Sequence, residues 1–71
     1  MLNMDDQELR DYLNALQEGD EVIETGRNGM QGLKGTVYYP EHGSPCVKWV
    51  MNDGAIMGTA ATAGTRLIED A

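Results

Sequence analysis

The sequence predicts a mainly β fold: five short strands closed into a small barrel, preceded by one amphipathic helix. Three observations predict it. Apolar residues recur at helical spacing only in the first 18 residues, and Gly19 ends that pattern. From Gly19 onward the period becomes two, as half-buried strands require. Asn52-Asp53-Gly54 then joins two alternating runs, and Asp-Gly supports the positive φ angles of a tight hairpin turn.

The helix is expected over residues 4–18. Leu9, Tyr12, Leu13 and Leu16 fall at i, i+3, i+4 and i+7, one stripe of a helix with 3.6 residues per turn. Asp5 suits the N-cap, and Glu8 stands where a capping box needs it. Met4 and Leu9 are spaced as a hydrophobic staple. Asp6 and Arg10 are spaced for an i, i+4 pair. Gly19 is free to take the left-handed conformation that stops a helix. The stripe is expected to cover one end of the barrel.

Residues 21–25 read as the first strand, and residues 26–32, with three glycines, as a long mobile loop. The second strand spans 33–39, with Leu33, Gly35, Val37 and Tyr39 on one face. Gly35 in mid-strand predicts a close backbone approach. After a loop at 40–45, the third strand covers 46–51, with Val47, Trp49 and Met51 on one face. Residues 55–59 form a fourth strand, 60–64 suit a 3₁₀ turn, and 65–69 form a fifth. A sheet this small is expected to close, because an open one would leave an unprotected edge.

Seventy-one residues form one domain, with the helix in 1–19 and the barrel in 20–71. Such a chain buries about 60% of its unfolded surface, so its core is small. Cys46 is the only cysteine and cannot form an intrachain disulfide. No apolar run approaches the roughly 18 residues of a membrane span, and the acidic N-terminus is no signal peptide. A cytoplasmic protein without membrane association is expected. The net charge of −7 lies wholly in the N-terminal third. There, Asp5, Asp6, Glu8, Asp11, Glu18, Asp20, Glu21 and Glu24 face a single base, Arg10. This array reads first as a solvated helix face and second as a docking face for a basic partner.

Gly19-Asp20, Val22-Ile23, a glycine-rich loop and Gly32-Leu33-Lys34-Gly35-Thr36-Val37 resemble the opening of a KOW-type SH3-like barrel. Val47-Lys48-Trp49 and Asp53-Gly54 are similar to the third strand and distal hairpin of small bacterial SH3-like barrels. The resemblance covers residues 19–69. It implies a binding domain, in that family for RNA, polymerase or other proteins. The loop at 26–31 offers only Arg27 where such barrels usually carry a basic loop, so nucleic acid is not the expected partner. The acidic-aromatic motif that cradles polyproline on signalling SH3 domains is missing.

Catalytic chemistry is not expected. His42 is the only imidazole, and no Ser/His/Asp set can be placed around it. His42 and Cys46 are four apart, but two ligands do not make a zinc site. The glycines at 26, 29, 32 and 35 precede neither the Lys-Ser/Thr nor the helix of a phosphate loop. No metal and no cofactor is expected. The remaining candidates are Tyr38, Tyr39 and Trp49, with Arg27 and Lys48, because aromatics and Arg carry binding hot spots. Trp49 is expected in the core, since a chain without Phe needs its one large ring there. The alternative is an exposed aromatic groove that anchors a partner. The expected function is a small non-catalytic protein-interaction module, a regulator or accessory subunit. A KOW-like RNA or ribosome binder, and an acidic decoy for a basic nucleic-acid-binding protein, are the alternatives.

Overall fold

Alternation after Gly19 produces five strands: β1 (Glu21–Glu24), β2 (Lys34–Tyr38), β3 (Cys46–Val50), β4 (Ile56–Ala60) and β5 (Thr65–Leu67). The structure, a computed structural model, describes residues 4–26, 29–41 and 43–71. The strands form one antiparallel sheet in the order β4-β3-β2-β1-β5. Each strand from β1 to β3 pairs with the next in sequence, and β5 pairs back onto β1. β4 and β5 do not pair, so the sheet stays open where closure was expected. The physical reason lies in β5. It stops at Leu67, where the chain turns into a short 3₁₀ helix (Ile68–Asp70) instead of continuing as strand.

The helix α1 (Asp6–Asn14) is shorter than its apolar stripe. Its start follows the sequence: the Asp5 carboxylate accepts the Glu8 N–H at 2.8 Å. Arg10 turns to Gln7 Oε1, at 3.4 Å. The last turn tightens early, with Ala15 N–H shared between the Asp11 and Tyr12 carbonyls and Leu16 N–H bonded to the Leu13 carbonyl. Leaving the helix lets Leu16 drop into the core, where it is buried. The Asp20 carboxylate then accepts the Gln17 N–H, and Gly19 turns the chain at φ 91°.

The core is Leu16, Val22, Leu33, Val37, Val47 and Trp49, with Tyr12, Leu13, Tyr39, Met51 and Met57 packed around it. The inward parity of β2 and β3 is the one that the alternation predicts. Gly35 is needed for this packing. A Cβ there would stand 2.5 Å from Val47 Cγ1 and 2.7 Å from the Lys48 carbonyl oxygen. Trp49 is fully enclosed, and its indole N–H donates to Thr59 Oγ1 at 2.8 Å. Cys46 is buried as a free thiol. No described helix is long and apolar enough to cross a membrane.

Residues 60–64 form no 3₁₀ helix. They wrap a buried carboxylate. Glu24 is 2% exposed and shares the inward parity of Val22. Its Oε1 accepts the Thr62 hydroxyl at 2.6 Å, and its Oε2 accepts the Gly26 N–H at 2.8 Å. A Cβ on Gly64 would collide with Glu24 Oε2 and stand 2.6 Å from Gly26 N. One of the N-terminal acids is therefore an internal clamp rather than part of a solvated face.

Candidate interaction face

The register aligns outward residues in rows across three strands. Lys34 stands opposite Val50, which stands opposite Ile56. Thr36, Lys48 and Gly58 make the next row, and in the third Tyr38 and Ala60 stand on either side of Cys46, which is buried. Lys48 Nζ sits 5.1 Å from the Tyr38 ring centroid, within cation–π range. A Cβ on Gly58 would come 3.0 Å from the Tyr38 hydroxyl. The Tyr38 side chain thus reaches across β3 to the β4 backbone, over a position without a side chain.

The large exposed apolar side chains of the described residues are Val50 (48%), Ile56 (61%) and Ile68 (38%). Val50 and Ile68 line a shallow recess of about 220 Å³ with Glu21, Lys34, Gly35 and Thr36. A second recess, of about 390 Å³, is lined by Gly19, Asp20, Glu21, Leu67, Ile68 and Glu69. Glu21 and Ile68 belong to both. The smaller recess thus sets Val50 and Ile68 beside Lys34 and Glu21, and the larger one adds Asp20 and Glu69.

Of the residues singled out by sequence, Tyr38 and Lys48 come together on this face. Tyr39 and Trp49 do not join them, because strand parity turns both inward. The Tyr39 hydroxyl donates to the Leu16 carbonyl and ties the end of β2 to the segment after α1. With Trp49 enclosed, the Tyr38–Tyr39–Trp49 groove does not exist as an open surface. Arg27 and His42 lie outside the described residues. Among the described residues, no group of three or more His, Cys, Asp or Glu is placed to hold a metal ion.

Sequence reasoning passed over Tyr12 and Arg66 as interacting groups. The Tyr12 hydroxyl donates to Asp70 Oδ2 at 2.7 Å and accepts the Leu67 N–H at 2.8 Å. Burial pushes this hydroxyl above its ordinary range, the bond to Asp70 adds to the rise, and the Leu67 N–H opposes it. The Arg66 guanidinium lies 5.3 Å from the Tyr12 ring centroid and donates through one nitrogen to the Ala63 and Thr65 carbonyls, each at 2.8 Å. Arg66 is buried, and its Nε has no partner among the described residues. The one available signal was spacing: Arg66 ends a run of small residues, where a long cation has room to fold back. Compared with known protein families, curated proteins and solved structures, the chain finds no match.

Proposed function

We propose that this protein is a small, non-catalytic protein-interaction module that binds its partner through the outer face of β2 and β3. The observation that carries this reading is that exposed Val50 and Ile68 line one shallow recess, while the Lys48–Tyr38 pair lies on the same outer face of β2 and β3. Exposed apolar side chains flanked by charge mark recognition surfaces, and a rigid sheet holds them with little loss of entropy on binding. The fold belongs, in this proposal, with SH3-like barrels of the KOW type. Support comes from the strand order and from the motif at Gly32–Val37, while the open β4 and β5 edges depart from a closed barrel. The working location is the cytoplasm, in keeping with a single unpaired cysteine.

The test is capture by immobilised protein, with bound proteins identified by mass spectrometry. Wild type retains a partner that Val50→Glu and Lys48→Glu both lose, while Asp5→Asn in α1 retains it. Capture of nucleic acid alone, or a partner held equally by both face variants, overturns the proposal.

A further inference from the structure

We propose that β4 is a self-pairing edge, through which two copies of this chain join into one continuous antiparallel sheet. The ladder bonds between β3 and β4 alternate along the strand. Met51 N–H bonds the Ala55 carbonyl at 2.7 Å, and Ala61 N–H bonds the Pro45 carbonyl at 3.1 Å. With the Val47–Thr59 and Trp49–Met57 register, this parity turns the backbone groups of Met57 and Thr59 toward β3. Those of Ile56, Gly58 and Ala60 point to the open side. Among the described residues, the only partner at that side is the Thr59 hydroxyl, which donates to the Ala60 carbonyl. The three residues that carry these outward groups, Ile56, Gly58 and Ala60, are exposed.

Three features select a second copy as the occupant. The outward groups are symmetric about Gly58, so an identical strand turned by a two-fold axis supplies a donor for every acceptor, the Ala60 carbonyl using its second lone pair. Gly58 then pairs with Gly58 of the second copy, and Ile56 with Ala60 of that copy. Second, β4 reads Ile-Met-Gly-Thr-Ala, with no charge and no proline, the devices that normally protect an edge. Third, two molecules of net charge −7 must meet away from their acids. The N-terminal acids sit on α1, on β1 and between them, and β2 and β3 separate β1 from β4 in the sheet. Growth stops at two copies because three of the outward backbone groups on the other edge are already taken. On β5, Thr65 N–H bonds the Thr62 carbonyl, the Thr65 carbonyl takes Arg66, and Leu67 N–H takes Tyr12. The contact is therefore isologous and closed, and it makes no fibre.

The experiment is analytical ultracentrifugation of the full chain over a concentration series, with amide hydrogen exchange read residue by residue. The expected mass rises to twice 7.8 kDa and no further, and the amides of Ile56, Gly58 and Ala60 slow as concentration rises. Ile56→Lys and Ala60→Pro both abolish the doubling while circular dichroism stays that of wild type. The Ala60 N–H points away from β3, so proline there removes no β3–β4 ladder bond. A monomer at every concentration overturns the proposal. So does a dimer with fast exchange at those three amides, a doubling that survives in a folded variant, or a mass that climbs past two copies.

Discussion

The two edges of the sheet solve the same problem in opposite ways. At β5, side chains satisfy the outward backbone: Tyr12 reaches in from α1, and Arg66 folds back on its own strand. At β4, the inward side is well held, with Thr59 fixing the Trp49 indole, yet the outward side meets solvent. The half of the protein near β5 is fastened by polar groups, around Glu24 and Tyr12. The half near β4 is fastened by apolar contact, around Trp49 and Val47. In a chain this small, the polar fastening substitutes for core that 71 residues cannot supply.

The largest expected effect breaks the apolar half. Trp49→Ala removes the one large ring and is expected to cost about 3–5 kcal/mol, enough to unfold a marginal domain, as measured by urea denaturation. Next comes the polar half. Glu24→Ala leaves the Thr62 hydroxyl and Gly26 N–H without their acceptor, at about 1–3 kcal/mol for each group that stays buried. The same titration should show Gly64→Ala comparably harmful, since its Cβ would meet the Glu24 carboxylate and the Gly26 backbone.

Tyr12→Phe sharpens the comparison at the β5 edge. It leaves Leu67 N–H without an acceptor, with an expected loss of about 1 kcal/mol at neutral pH. It also changes the alkaline limb. The Tyr12 hydroxyl in the folded chain ionises above its ordinary value of 10.0. Folding therefore favours the neutral form, and this stability is whole below pH 10.0 and lost as pH rises through the folded-state value. Wild type should lose stability over that range, and Tyr12→Phe should lose less; equal slopes would show that the hydroxyl does not govern the edge. The smallest effect belongs to β4. Ile56→Lys lies on the solvent side and should shift the stability of the single chain by no more than about 0.5 kcal/mol.

Local features were legible in the sequence because their causes are local. Asp5 caps a helix three residues away, and Gly19 marks the change of period. The alternation in β2 and β3 assigns Val37, Val47 and Trp49 to one interior. What was hidden depends on partners far along the chain. Thr62 reaches Glu24 across 38 positions, and Tyr12 reaches Leu67 across 55, so no window of sequence contains either bond. The early end of α1 has the same origin, since the core claims Leu16 and Tyr39 claims its carbonyl. Parity gave the inward direction of Tyr39, whereas Glu24 was grouped by composition with the surface acids, although it stands two residues from the buried Val22 on the same strand. Of the interaction face, Tyr38 beside Lys48 followed from strand pairing, whereas the placement of Ile68 required the turn that ends β5.

The lone thiol turns the molecule into its own stopwatch. Cys46 is enclosed at the start of β3, opposite Tyr38 on one neighbour and Ala60 on the other, so an alkylating reagent reaches it only when those strands part. Labelling kinetics at increasing reagent then separate the frequency of that opening from its depth, without any engineered probe.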